Sequence, residues 1–274
     1  MFSMSAAPAK PSLNALLERF GGVVRRLSEV ETPGRTLQEA QAAPRGLATG
    51  LEPLDRALSE GGLPLGVSVI ASPKAVGGAG EIAVRTLVRL QRERPCLVAW
   101  VDPSRSLFAP GLELRGIDLA RLWVLRPQGE NRAMGALELV GSGAFAAVVV
   151  DLEDPWGSEL AAELSEPVVE EPEARTALRR ALAQEERLLR RLGEASKKSG
   201  CAVIVLTDST RRRQAPLPAS LRLTCTMPSL HTLRVHVDHD RRGAPPVQVT
   251  VPLTLGPGVA RAARTPTPTQ ALAR

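Results

Sequence analysis

VSVIASPKAVGGAGEIAVRTLVRLQRE, residues 67–93, decides how the rest of the chain is read. VSVIAS (67–72) is a short apolar run without strict alternation, the pattern of a strand buried on both faces. A turn carrying GGAG at 77–80 follows, and a helix then runs to about Glu93. A glycine-rich turn between a strand and a helix points backbone N–H groups and a helix N-terminus at one place, which suits an anion. Outward from this unit the same grammar repeats. CLVAWVD (96–102), AFAAVVVD (144–151) and CAVIVLTD (201–208) are apolar runs that each end in an acid, Asp102, Asp151 and Asp208. Helices are predicted at 133–141 and at Glu170–Lys198, the second with an apolar stripe of Leu178, Ala181, Leu182, Leu188, Leu189 and Leu192. Buried strands alternating with helices predict an α/β fold with a mostly parallel central sheet.

The pattern changes after residue 219. SLRLTCT (220–226), TLRVHVD (232–238) and VQVTVPL (247–253) alternate apolar with polar residues. Alternation predicts antiparallel strands with one solvated face, so the sheet is extended by antiparallel strands. At the other end, residues 1–11 are rich in Ala, Pro and Ser. A separate N-terminal helix is predicted from Ser12, with Leu13, Leu16, Leu17, Phe20, Val23, Val24 and Leu27 at helical spacing. The expected organisation is a start, helix and linker over 1–46, a core domain over 47–255 and a flexible basic tail over 256–274 that carries Arg261, Arg264 and Arg274.

Composition excludes some functions. At 43% hydrophobic the chain has ample material for a core, but only 3% is aromatic and tyrosine is absent, which argues against a base-stacking platform for single strands. The net charge of +6 and pI near 10.0 suit a phosphate backbone, though an arginine-rich composition gives the same total. Cys96, Cys201 and Cys225 lie far apart in apolar runs and read as core thiols in a reducing, cytoplasmic setting. His231, His236 and His239 have no companion ligands, so no metal is expected. No apolar run is long enough to span a membrane, and the first residues do not read as a secretion signal.

The turn itself lacks part of the usual chemistry. Holding a nucleotide triphosphate takes glycine amides, a lysine for the terminal phosphates and a Ser or Thr hydroxyl for Mg²⁺. Here the turn reads SPKAVGGAGE (72–81): Gly78 stands in the lysine position and Ala79 in the hydroxyl position. Lys74, Gly77, Gly78, Ala79, Gly80 and the strand-end Asp151 therefore form either a vestigial phosphate loop or a weak anion site, and no cofactor is expected.

LATGLEPLDRALSEGGLPLGVSVIASP (47–73) resembles the segment that leads into the phosphate loop of RecA recombinases. It keeps Thr49, Gly50, Leu54, Asp55, Leu58, Gly61, Gly62, Leu63, Pro64 and Gly66 at that family's spacing. The stretch 114–152 is similar to the RecA region ending at the second Mg²⁺-site acid, and LRVHVDHDRRGAPP (233–246) to a late RecA hairpin. The resemblance implies a RecA-like P-loop core. The departures imply that ATP is not hydrolysed: besides positions 78 and 79, the water-activating glutamate falls at about Ser104 and the glutamine sensor near Asp208, and the second DNA-binding loop shrinks to RRRQAPLP (211–218). A degenerate RecA-like core of this kind resembles the ImuA family. That resemblance implies a non-catalytic role in damage-induced mutagenesis, with RecA and an ImuB-like Y-family polymerase homologue as partners. A divergent ATPase of DNA repair and a SulA-like division inhibitor are the alternatives.

Candidate surfaces follow from the same comparison. Leu16, Leu17, Phe20 and Val24 would dock the N-terminal helix on RecA, on a second copy of this chain, or on its own core. Arg211, Arg212 and Arg213 stand where the RecA family has a DNA-facing loop, and Arg241 and Arg242 mark a hairpin tip, so these are the candidate DNA contacts. The acidic stretch 163–173 would repel DNA.

Overall fold

The fold was obtained as a computed structural model, and it describes residues 46–73, 77–127, 131–152, 172–209, 217–243 and 245–253. The predicted N-terminal helix, Lys74, the 211–213 arginines, residues 163–171 of the acidic stretch and the tail lie outside these residues.

The core opens with helix α1 (Glu52–Ala57), whose start explains the retained motif around it. Asp55 reaches back and accepts from the Thr49 amide (2.8 Å), the Thr49 hydroxyl (2.7 Å) and the Gly50 amide (3.1 Å). The Thr49 hydroxyl in turn accepts from the Leu51 amide at 3.1 Å. Just beyond the helix, Leu47 and Leu63 exchange both backbone hydrogen bonds, 2.7 and 2.8 Å. Gly62 lies beneath this bridge, where a Cβ would sit 2.2 Å from the Leu47 carbonyl oxygen. The Thr-Gly…Leu-Asp…Gly-Gly-Leu run is thus a folded hook that sets the entry into β1.

β1 (Val67–Ser72), α2 (Ala79–Glu93), β2 (Leu97–Val101), α3 (Ala109–Leu114), a short 3₁₀ turn (Leu119–Arg121), β3 (Leu122–Leu125), α4 (Asn131–Ser142), β4 (Phe145–Asp151), α5 (Pro172–Ser199) and β5 (Ala202–Asp208) follow in order. β6 (Leu221–Ser229), β7 (Thr232–Asp240) and β8 (Val247–Pro252) close the described core. All the strands join one eight-stranded sheet in the order β3-β2-β4-β5-β1-β6-β7-β8. The sheet is parallel from β3 to β6, then antiparallel through β7 and β8.

Two expectations need adjusting. β6 carries the alternating pattern assigned to an antiparallel strand, yet it pairs parallel with β1 and antiparallel only with β7. Alternation here reports one buried and one more exposed side, not the direction of the strand. Helix α1, helix α3 and strand β3 were not recognised as separate elements. Each is only four to six residues long, too short for a period to show.

Period-2 alternation sorts the strand side chains onto two faces. On one, Ile70, Trp100, Val149, Ile204, Leu223 and Val235 pack under α1 and α2. On the other, Val69, Val101, Val148 and Val205 pack under Val140 of α4 and Leu189 and Leu192 of α5. Among the described residues the second cluster stops short of β6–β8, so the first face is buried across the sheet while the second carries exposed or half-buried side chains over its antiparallel end. Of the thiols, Cys201 and Cys225 are buried and Cys96 is half-buried. Burial pushes the Cys201 thiol up to about 12.

Two outcomes follow from this packing. Gly62→Ala drives a Cβ into backbone and should cost about 3 kcal/mol in urea unfolding. Gly50→Ala, at a φ of 73° with open space around it, should cost only about 1 kcal/mol. Above pH 9 the unfolded chain releases the Cys201 proton that the folded chain keeps, so stability should fall as pH rises toward 12 by up to about 1.4 kcal/mol per unit. In parallel urea titrations, Cys201→Ala should show a correspondingly shallower loss.

Candidate functional site

Ligands of open α/β sheets bind beyond the carboxyl ends of the parallel strands, and here the sequence-predicted acids gather. Ser72 ends β1 opposite Asp208 of β5, and Asp151 ends β4 opposite Leu206 of β5. Val101 of β2 pairs with Val150 of β4, so both chains leave the ladder at adjacent carboxylates, Asp102 and Asp151. Asp151 is buried and Asp208 half-buried. The buried Ser72 hydroxyl has no hydrogen-bond partner among the described residues.

Asp102 is fully buried and its role is legible from its bonds. It accepts from the Ser106 amide (2.9 Å), the Leu107 amide (3.3 Å), the hydroxyls of Ser104 (3.4 Å) and Ser106 (3.3 Å), and Arg126 Nε (3.2 Å). It therefore builds the loop from β2 to α3. Ser104, at the position read as that of a water-activating acid, contributes one of these donors.

The turn after β1 enters α2 two residues earlier than the glycine run suggested. Gly78 is the N-cap at φ 143° and ψ −34°, and the helix starts at the fully buried Ala79. No side chain caps this end. A Cβ on Gly78 would lie 2.8 Å from Leu233 Cδ1, 3.3 Å from Cys225 Sγ and 3.5 Å from Met227 Cγ. The φ lies in the region that favours glycine, and a side chain here would also require Leu233 Cδ1 to shift. Gly77 and Gly80 face open space.

The next residue of consequence is Glu81, in the first turn of α2. Its carboxylate is only 11% exposed and is held by Arg85 Nε at 2.6 Å and by Arg115. A carboxylate there already answers the positive end of the helix dipole that an incoming anion would use. The described residues of the turn therefore do not supply the groups a magnesium–nucleotide needs: position 78 has no ammonium, and position 79 has a buried methyl group in place of a hydroxyl.

The hairpin tip after β7 is bound to the core. Ser59 Oγ donates to Asp240 at 2.5 Å, and Arg242 Nε pairs with Glu60 at 2.6 Å. Burial opposes the charge on Asp240, but the Ser59 hydroxyl with the Ser59 and Arg242 amides holds its carboxyl below the usual value. Of the two tip arginines read as DNA contacts, Arg242 is thus spent on Glu60, while Arg241 is exposed. The histidines do not converge: His236 pairs with Asp238 at 2.7 Å, His231 is exposed and His239 half-buried. Among the described residues no group of His, Cys, Asp and Glu could hold a metal ion, and no helix is long and apolar enough to cross a membrane.

Sequence reasoning missed the packing partners of Gly78 and the closure of the helix end by Glu81. The first had a signal. Cys225 and Leu233 fall on the apolar side of their alternating strands, hence on the face that α2 covers.

Sheet order, hook and turn together define a RecA-like α/β core. No family model matches the chain. It is 32% identical over 143 residues to protein RecA of Chlorobium limicola, which covers 51% of this chain and 38% of that protein. Against protein RecA of Thermus thermophilus the identity is 32% over 142 residues, covering 51% and 39%. Against protein RecA of an Arthrobacter species it is 31% over 156 residues, covering 54% and 41%. The relationship is to the RecA superfamily, and the chain spans about two-fifths of the length of the curated relatives it matches.

The packing at Gly78 generates a double-mutant test. Gly78→Ala should lose about 2 kcal/mol of stability by clash and backbone strain. Combined with Leu233→Ala, which removes the nearest atom, the loss should be smaller than the sum of the two single losses by at least about 0.5 kcal/mol. Additive losses in urea unfolding would mean that Leu233 does not limit position 78.

Proposed function

We propose that this chain is a RecA-like protein of DNA repair that acts without hydrolysing ATP: a non-catalytic adaptor in damage-induced mutagenesis and translesion synthesis, binding RecA and an ImuB-like polymerase homologue. The observation that carries the reading is the state of the helix α2 start. Phosphoryl transfer depends on positioned charge at the transferred group. Position 78 supplies no cation, a Cβ there would press on Leu233, and Glu81 sets a carboxylate in the first helical turn. The sheet, the hook and the hairpin that support the fold are meanwhile intact. A chain that keeps the scaffold and fills the cradle is suited to presenting RecA-like surfaces rather than RecA-like chemistry. A cytoplasmic, nucleoid-associated setting goes with this reading.

One observation favours a second reading, a divergent ATPase. The Ser72 hydroxyl is buried at the strand end beside the turn without a partner among the described residues, a place where a ligand's polar atom would be satisfied.

Calorimetric titration separates the two. The adaptor reading expects heat on mixing with RecA and none with ATP–Mg²⁺. Saturable heat from ATP–Mg²⁺ that disappears in Ser72→Ala, with no heat from RecA, would replace the adaptor by the ATPase. Restoring the missing groups as Gly78→Lys/Ala79→Thr should destabilise the chain without creating nucleotide binding.

A further inference from the structure

Among the described residues the sheet has two outer edges, β3 and β8, and the sequence treats them differently. β3 is four residues long and is bracketed by Arg121 and Arg126, the kind of charged flank that keeps a strand edge from pairing with another chain. β8 is six residues long, VQVTVP, and carries no charge. The uncharged stretch around it runs from Gly243 to Ala260, in a chain of which 23% is charged.

The register fixes which groups of β8 are free. Leu253 donates its amide to the carbonyl of His231, just before β7, at 2.7 Å. The N–H and C=O of an antiparallel residue point the same way and alternate along the strand, so those of Val251, Val249 and Val247 also point to β7. Those of Gln248 and Thr250 then point out of the sheet. So does the nitrogen of Pro252, the placement an edge strand allows a residue with no N–H to donate. The side chains alternate in step. Val251 is buried and Val249 half-buried in the cluster that α1 covers, and Val247 follows on the same side at 37% exposed. Gln248 and Thr250 stand exposed on the opposite side.

We propose that β8 is the contact between two copies of this chain, paired antiparallel about a two-fold axis through Val249. The edge is complementary to itself. Turned about that axis, Val249 meets Val249 and Val247 meets Val251, so apolar side chains adjoin on the α1 side of both copies. Gln248 meets Thr250 on the other side. These two are also the residues whose backbone groups are free, and each Gln248–Thr250 pair exchanges two N–H···O bonds, about four in all. At each end Pro246 meets Pro252, neither with an N–H to donate, so the pairing stops there. No like charges face each other across the axis, which is what a charge-free edge permits. The same surface serves both copies, so the contact closes at two and does not propagate. It is small for a specific interface, which fits association in the micromolar range. It does not depend on whether the chain binds RecA.

Sedimentation velocity of the full chain across a concentration series tests the contact. The chain should pass from monomer to dimer and no further. Its dissociation constant should change by less than about twofold between low and moderate salt, since no ion pair is made. Thr250→Pro removes an N–H that faces outward and leaves the β7 ladder whole. It should weaken the dimer about tenfold or more while the monomer stays folded. Val249→Pro removes an N–H that β7 uses and should destabilise the monomer itself. Cross-linking reads the register. Val249→Cys sets two thiols across the axis at the Cβ separation of a facing pair, about 4.5–5.5 Å, and should give a reducible covalent dimer on mild oxidation. Thr250→Cys sets them diagonally, about 7–8 Å apart, and should cross-link more slowly. The unsubstituted chain, whose thiols are buried or half-buried, is the blank. The proposal is overturned if the chain is monomeric at roughly 200 µM, if it grows beyond two copies, if Thr250→Pro dimerises like the unsubstituted chain or unfolds as Val249→Pro does, or if Thr250→Cys cross-links faster than Val249→Cys. RecA binding by a chain that stays monomeric would overturn this contact alone and leave the adaptor standing.

Discussion

Strand β1 is hydrogen-bonded in parallel on both flanks, to β5 and to β6, and everything else in the core is arranged around that double pairing. It leaves β1 no free edge and almost no solvent, so its six residues must satisfy neighbours on four sides. The hook before it, built on Asp55 and Gly62, fixes where the strand begins. The turn after it must then deliver α2 onto one face at a set distance, which leaves position 78 no freedom. A site that would ordinarily be described by its ligand is here better described as a joint, where the parallel and antiparallel parts of the sheet meet under the start of one helix.

The asymmetry of helical cover is the second organising fact. One face of the sheet is roofed from end to end. The other is roofed by α4 and α5 only as far as β1, and beyond it the strands carry arginine, histidine, threonine and glutamine. Burial of apolar area explains the first face completely. On the second, solvation asks only for polarity.

Much of this was legible in the sequence. The continuous apolar runs at 67–72, 96–102, 144–151 and 201–208 gave the buried parallel strands, because a strand covered on both sides cannot alternate. The Leu188, Leu189 and Leu192 stripe gave the packing face of α5. The direction of β6 was not legible, since alternation depends on cover and not on chain sense. Nor were the short elements, which hold fewer residues than two periods. At the turn, the absence of a lysine could be read directly from Gly78. That a side chain there would press on Leu233 could not, because that residue is more than 150 positions away and only the fold brings it there. The engagement of Arg242 with Glu60 was hidden for the same reason.

The contact between Gly78 and Leu233 also bears on how such a chain can change over generations. Any residue but glycine at position 78 meets a positive φ and displaces Leu233 Cδ1, so a change there costs stability unless a change at Leu233 accompanies it. Interior packing thus ties the residue allowed at position 78 to the one at position 233.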